Sequence, residues 1–280
     1  MSDLTRPLVR YHGGKWKLAP WILSFFPQHR VYVEPYGGGG SVLLRKERSY
    51  AEIYNDLDGE IVNLFRVARD HGDELDRLLR LTPFARAEFD LSYEVSESPV
   101  EQARRTLVRS FMGFGSASVS MQKSGFRANS NKSGTTPAHD WANYPDAFKH
   151  VIERLSGVVV ENRKAIDCMM HHDTVQTLHY VDPPYVKSTR YMNNKTHCYR
   201  HEMDDVDHAA LAAALKQLMG CVVLSGYACD LYDKELFSDW TRFERPAFAD
   251  GAKERTEVIW INDACKHALE ERNYQEALFA

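Results

Sequence analysis

The sequence predicts an α/β fold: a mostly parallel sheet interrupted by a mainly helical insert. Segments of strand character alternate with segments of helical periodicity at both ends of the chain, as in folds whose parallel strands are joined by helices on both sheet faces. Between residues 71 and 145 this alternation stops. We therefore predict one domain formed by residues 1–70 and 146–280, with a second domain, residues 71–145, inserted into it.

Composition narrows the class of protein. The 280 residues are 44% hydrophobic and 26% charged, as in ordinary folded domains. The five cysteines form no CxxC pair and are odd in number, which favours a reduced cytoplasmic protein over a disulfide scaffold. The chain contains no 18-residue apolar run and begins without an apolar signal core, so we expect neither secretion nor membrane insertion.

The elements follow from periodicity and turn residues. Residues 30–35 and 51–54 have strand character, and helical patterns begin at Ser41 and Asp58. Helical spacing continues from 73 to 109 with a break at Thr82-Pro83. Glycine, serine and asparagine then dominate residues 111–138, which predicts a long loop or hairpin. Later elements are a helix at 147–155, strands at 158–160, 178–181 and 221–224, a helix at 204–218, and an antiparallel pair of 241–248 with 257–262.

A glycine-rich turn lies between the first strand and its helix, in the sequence Glu34-Pro35-Tyr36-Gly37-Gly38-Gly39-Gly40-Ser41. Glycines let a ligand approach the backbone, and the following helix start offers unpaired amides. Asp56, at the end of the second strand, is placed to accept hydrogen bonds from ribose hydroxyls. Leu43 replaces the third glycine of GxGxxG, so a dinucleotide is disfavoured. The pattern predicts a nucleotide-type cofactor.

Asp182-Pro183-Pro184-Tyr185 directly follows a buried strand, at the sheet edge where ligands bind. The prolines stiffen the turn, so the Asp182 carboxylate and the Pro183 carbonyl form a rigid pair of acceptors. Such a pair suits an exocyclic amine like adenine N6, whose lone pair would then face a methyl donor. The carboxylate also stabilises positive charge that develops on the nitrogen. Tyr185 is placed to stack on an extruded base.

Residues 102–139 and residues 183–201 each contain no Asp or Glu. Residues 102–139 carry six basic residues and residues 183–201 carry four, although the whole chain has a net charge of −4. Basic residues interleaved with aromatics suit a nucleic acid, whereas the alternative is a solvated loop of ordinary surface charge. The candidate DNA-binding residues are Arg104, Arg109, Lys123, Arg127, Lys132, Lys187 and Arg190.

The ordered set of motifs resembles the Dam-like (D12 class) N6-adenine DNA methyltransferases. It comprises Tyr11-His12-Gly13-Gly14-Lys15, the Glu34–Ser41 turn, Asp56, the insert and Asp182–Tyr185, and it spans almost the whole chain. The resemblance implies a Rossmann-like sheet that binds S-adenosylmethionine, and an insert that recognises the target, commonly GATC, through a helical bundle and a β-hairpin. It implies cofactor contacts from Tyr11, Lys15, Gly37, Gly39, Asp56, Asp167 and Asp182, and a catalytic motif of Asp182, Pro183, Pro184 and Tyr185.

Three hypotheses follow. The first is a site-specific adenine methyltransferase that flips its base from double-stranded DNA and needs no metal, membrane or obligate protein partner. In the second the acceptor is cytosine N4 or a protein amide; enzymes of those kinds more often carry Ser or Asn where this chain has Asp182. The third is a non-catalytic DNA-binding module on the same fold, against which the intact motif argues.

Overall fold

A seven-stranded sheet forms the centre of the part of the chain described by the structure. This computed structural model describes residues 4–115, 123–128, 134–190, 200–248 and 254–278. The strands are β1 Val31–Glu34, β2 Ala51–Asn55, β3 Val158–Glu161, β4 Thr177–Val181, β5 Cys221–Tyr227, β6 Thr241–Phe248 and β7 Glu254–Ile261.

Helices connect and flank these strands. They are α1 Ala19–Leu23, α2 Ser41–Arg45, α3 Gly59–Asp70, α4 Gly72–Leu81, α5 Arg86–Leu91, α6 Pro99–Met112, α7 Pro137–Ala142, α8 Tyr144–Leu155, α9 Ala165–His172, α10 Asp205–Leu215 and α11 Asp263–Leu278. A short 3₁₀ turn covers Lys187–Thr189 and a π turn covers Leu231–Leu236. No helix within the described ranges is long and apolar enough to cross a membrane.

The strand order is β3-β2-β1-β4-β5-β7-β6. β1 to β5 run parallel, while β7 pairs antiparallel with both β5 and β6. The predicted mixed α/β class and the closing antiparallel pair are therefore confirmed. Because the order reverses between β1 and β4, their carboxyl ends open a crevice, which is the usual ligand site of such sheets.

Helix starts agree with the capping residues that predicted them. The Asp58 carboxylate accepts from the Glu60 amide at the start of α3. Asp204 and Asp207 form a capping box at the start of α10. The predicted ends are less accurate: α10 ends at Leu215 rather than 218, and β5 continues to Tyr227. Helices α1, α7, α9 and α11 were not predicted.

The interrupting segment packs directly onto the sheet domain. One continuous apolar cluster includes Leu75 of α4 and Leu107 of α6 together with Phe65 of α3 and Phe148 of α8. The sequence pattern alone gave no sign of this shared core, because helical periodicity shows that a face is buried but not what covers it. The boundaries of an inserted domain at residues 71 and 145 stay a prediction.

Two segments within the predicted loop of residues 111–138 pair with each other. Gly113 and Phe126 form an antiparallel bridge, the Phe114 amide donates to the Gly125 carbonyl at 2.8 Å, and the Arg127 amide donates to the Met112 carbonyl at 2.8 Å. These contacts are those expected at the base of a hairpin. The tip that would follow, residues 116–122, lies outside the described residues.

Candidate active site

The carboxyl ends of β1, β2 and β4 border a cavity of about 560 Å³, a size suited to a nucleoside-type ligand. The residues predicted from the resemblance to contact a cofactor all line this one cavity. They are Tyr11, Lys15, Gly37, Gly39, Asp56, Asp167 and Asp182, and Pro184 joins them. The described residues contain no group of three or more His, Cys, Asp or Glu side chains that could hold a metal ion.

The glycine turn is shaped by close packing. A Cβ at Gly37 would lie 2.2 Å from the Tyr54 ring, and one at Gly39 would lie 3.0 Å from the Tyr11 side chain. The Tyr54 hydroxyl donates to the Gly38 carbonyl at 2.7 Å. Gly40 adopts φ +61° just before α2, a conformation that favours glycine. At these positions the packing leaves no space for a side chain, so the backbone itself forms this part of the cavity wall.

Asp56 ties the turn to the end of β2. One carboxylate oxygen accepts from the Gly38 amide at 2.8 Å and the other from the Asp58 amide at 2.8 Å. Burial raises the pKa of Asp56, while those two amides oppose the shift. Each oxygen has a further lone pair, so the group retains acceptor capacity on the side that lines the cavity.

Glu34 is a buried carboxyl on the cavity wall whose individual role sequence reasoning missed. One of its oxygens accepts from the Tyr32 hydroxyl at 2.7 Å and the Leu43 amide at 2.9 Å. Burial raises the pKa of Glu34 to about 8, despite the opposing effect of those two donors. The available signal was an acidic residue closing an otherwise apolar strand, a position where burial is expected.

Asp182 is held from two sides. Its Oδ2 lies 2.9 Å from the Lys15 ammonium, and its Oδ1 accepts from the Ser225 hydroxyl at 2.7 Å. Lys15 also donates to the Gly13 carbonyl at 2.9 Å. The carboxylate is thereby fixed at the cavity edge by groups from the N-terminal segment and from β5. Ser225 was not predicted, because it lies 43 residues from Asp182.

Tyr185 is enclosed rather than open to a base. The residue is 8% exposed, the Lys15 ammonium lies 4.7 Å from its ring centroid, and Tyr227 packs edge-on against it at 4.6 Å. Its hydroxyl donates to Glu257 of β7, a second residue that the sequence gave no reason to select. Stacking on an extruded base stays a prediction.

Comparison with known proteins agrees with this geometry. The family model for D12 class N6 adenine-specific DNA methyltransferases matches residues 11–249. The chain belongs to this family. It is also similar to the Type II methyltransferase M1.LlaDCHI of Lactococcus lactis subsp. cremoris, with 26% identity over 285 residues, which cover 92% of this chain and 95% of that protein.

Two of the basic residues predicted to bind DNA are buried in this methyltransferase. Arg109 is fully buried, donates to the Ser92 carbonyl and pairs with Glu60. Arg104 is 8% exposed and pairs with carboxylates of α5 and α6. We correct the prediction that these two contact phosphates, because each guanidinium would have to leave a buried ion pair to do so. The absence of Asp and Glu from residues 102–139 led to this prediction, but the acidic partners of both arginines lie outside that stretch.

The remaining basic candidates differ in exposure. Lys123 and Lys187 are exposed, whereas Arg127 is half-buried and donates to the Phe111 carbonyl at 3.0 Å. Arg190 is also corrected: its side chain is 9% exposed and paired with Glu202. Lys132 lies outside the described residues. Among the members of the predicted set that the structure describes, Lys123 at the paired loop and Lys187 just after the Asp182–Tyr185 motif are therefore the exposed lysines.

Proposed function

We propose that this methyltransferase methylates adenine N6 in double-stranded DNA and takes the methyl group from S-adenosylmethionine. The single observation that carries the proposal is the placement of Asp182 on the same cavity as the glycine turn and Asp56. A cofactor held by the turn and an amine held by Asp182 would be neighbours. Proximity of this kind supplies a large part of the rate enhancement in group transfer.

The residues of the cavity fit the cofactor. Bound there, S-adenosylmethionine supplies an electrophilic methyl group on a sulfonium. Gly37 and Gly39 line the cavity and would present backbone to the cofactor, and the turn packs so closely on Tyr54 and Tyr11 that neither position has space for a Cβ. Asp56 and Asp167 are the acceptors that would hold hydroxyl and amino groups of the nucleoside. Glu34 and Lys15 line the same wall.

Asp182 and the Pro183 carbonyl would hold the two N–H bonds of the target amine. Gripping both hydrogens favours a pyramidal nitrogen with its lone pair directed at the methyl group. The interaction strengthens as positive charge develops on nitrogen, so it stabilises the transition state more than the bound substrate. Ser225 would keep the carboxylate from rotating away, since it donates to Oδ1.

The base must leave the helix to reach this cavity. Extrusion costs a few kcal/mol and is offset by contacts in the pocket and along the backbone. We assign target recognition, at GATC or with relaxed specificity, to residues 71–145, and phosphate contacts to Lys123 and Lys187. The paired segments at Gly113 and Phe126 would present the hairpin to the DNA.

The test is modification of DNA in cells that lack adenine methylation. We expect wild-type protein to produce N6-methyladenine, detected by mass analysis of nucleosides and located by sequencing of modified bases. N4-methylcytosine, or no modified base, would contradict the proposal.

Asp182→Ala should abolish detectable N6-methyladenine in these cells. The rate of methyl transfer should fall at least ~100-fold, because the substitution removes a carboxylate that acts mainly in the transition state. Binding of S-adenosylmethionine, measured by calorimetry, should be partly retained. Asp263→Asn, an exposed carboxyl on α11, is the matched control and should leave methylation unchanged. Full activity of Asp182→Ala would refute the assigned mechanism.

A further inference from the structure

The Lys15 ammonium stands between two carboxylates. It lies 2.9 Å from Oδ2 of Asp182 and 3.6 Å from Oε1 of Glu257, and all three side chains are largely buried, with exposures of 7%, 18% and 3%. The closer partner is the residue that the proposed function needs as an acceptor for the target amine. In this structure a cation of the protein itself occupies that acceptor.

An ammonium and an incoming amine compete for Asp182, because both only donate hydrogen bonds to it. A carboxylate oxygen can accept a second hydrogen bond, but an ammonium 2.9 Å from Oδ2 would repel the positive charge that develops on the amine nitrogen, so Lys15 must shift for methyl transfer. A buried ammonium that simply lost its carboxylate would carry a penalty of several kcal/mol. Methyl transfer thus requires a second site for the Lys15 charge close to the first.

Glu257 has the position and the rigidity for this role. It lies on β7 opposite Tyr227, the last residue of β5, so the sheet fixes its backbone at the cavity edge. The Tyr185 hydroxyl donates to the same oxygen that faces Lys15. Closing the 3.6 Å gap to a normal ion-pair distance of about 2.8 Å needs only a small movement of the lysine side chain.

We propose that Glu257 is a positioning residue that takes the Lys15 ammonium from Asp182 when the target amine arrives. The inference rests on the proposed function. Glu257 would act through Lys15 and not on the substrate itself. Its fixed hydrogen bond from Tyr185 would also hold the tyrosine ring in place as Lys15 moves across it.

The test measures how much the 6-amino group contributes to DNA binding. Duplexes carry either adenine or purine, which lacks that group, at the methylated position found by sequencing. Dissociation constants are measured with saturating S-adenosylhomocysteine, and the purine-to-adenine ratio is compared among variants so that effects on duplex stability cancel. We expect a ratio of about ten for the wild type, as for one charge-assisted hydrogen bond.

Glu257→Gln keeps an acceptor for Tyr185 but removes the charge, so Lys15 stays on Asp182 and the ratio should fall to about one or two. Lys15→Met removes the competitor, so its ratio should equal or exceed that of the wild type. The double variant should recover the ratio that Glu257→Gln loses. A purely structural role for Glu257 would give no such recovery.

The inference is overturned if Glu257→Gln keeps the wild-type ratio, if the double variant does not recover it, or if the wild-type ratio is one. If Glu257→Gln fails to fold, the Lys15→Met variant alone can still overturn the inference. A purine-to-adenine ratio below that of the wild type would mean that Lys15 does not compete with the target amine. Absence of N6-methyladenine with the wild type would instead refute the proposed function, so the two failures are distinguishable.

Discussion

Glu34 shows how one buried carboxyl links the site to the stability of the fold. Its pKa is raised from 4.5 to about 8 because burial disfavours the charged form. Between these two pH values the folded protein therefore binds one more proton at Glu34 than the unfolded chain does. The contribution of Glu34 to stability is fully present below pH 4.5 and is lost as the pH rises through 8.

We predict that Glu34→Gln removes this pH dependence. The free energy of unfolding of the cofactor-free wild type should fall relative to that of the variant as the pH rises from 5 to 8, by up to about 1.4 kcal/mol per pH unit. Urea denaturation of both proteins across this range measures the difference. A constant difference would show that Glu34 is already ionised in the folded protein.

Among the site residues, the sequence revealed those whose role follows from a local motif. Asp182, Asp56 and the glycine turn each follow a strand, and strand ends of a parallel sheet meet at one edge. Ser225 and Glu257 could not be predicted from the sequence, because they position other site residues and belong to no local motif. The tyrosine bound by Glu257 is 72 residues away, so only the folded sheet brings the two together.

At the scale of elements, the turn between β1 and α2 depends on the absence of side chains. Gly37→Ala would place a Cβ 2.2 Å from the ring of Tyr54, which itself is fully buried. We expect a loss of stability of about 1–3 kcal/mol from overpacking and weaker binding of S-adenosylmethionine. Thermal unfolding and calorimetry measure the two effects.

Gly59→Ala is the matched control for this prediction. Gly59 is the first residue of α3, and the nearest atom to its added Cβ is 4.0 Å away. Alanine there should be neutral or stabilise by up to about 1 kcal/mol, because it reduces the entropy of the unfolded chain. Equal effects of both substitutions would mean that the turn relaxes around the new methyl group.

The segment that precedes α10 also closes one side of the cavity. Arg200 pairs with Asp58 and Glu60 at the start of α3, at 2.8 Å each, and the next three residues line the cavity. We predict that Arg200→Ala raises the dissociation constant of S-adenosylmethionine about three- to tenfold, since each partly exposed ion pair contributes up to about 1 kcal/mol.

Arg80→Ala is the control for Arg200→Ala. It tests whether the loss of a similar ion pair that does not border the cavity also weakens cofactor binding. Arg80 also bridges two carboxylates, Asp76 and Asp146, and has similar exposure, 39% against 35% for Arg200. Its removal should leave cofactor affinity unchanged in calorimetry. If Arg200→Ala leaves it unchanged as well, other contacts hold the segment.

Sequence periodicity located most elements but not their partners. The five parallel strands were placed to within a few residues, because buried strands between turn residues are distinctive. Helix α7, Pro137–Ala142, is only six residues long and gives too little periodicity to detect. The pairing of Arg104 with Glu88 and of Arg109 with Glu60 could not be read from periodicity, because these acids lie on other helices and the contacts depend on tertiary packing.

At the scale of the whole molecule, formal charge along the sequence is a poor guide to the field at the surface. The methyltransferase has a net charge of −4, and several basic residues of its acid-free stretches are paired with partly buried acids. Only exposed cations displace the ions condensed on DNA. Among the described members of the predicted set, the exposed Lys123 and Lys187 are therefore the ones expected to contribute most to the salt dependence of DNA binding.

We predict that Lys123→Ala and Lys187→Ala each flatten the plot of log affinity against log salt concentration by about 0.9, the value for one phosphate contact. Lys266→Ala is the control, because this exposed lysine lies in the first turn of α11, which begins where β7 ends, beside the amino-terminal half of β5 and away from the cavity edge. Fluorescence anisotropy of a labelled duplex between 50 and 200 mM salt, roughly the range over which such contacts change affinity strongly, gives the slopes. An unchanged slope for both variants, or an equal change for the control, would place the DNA on another face.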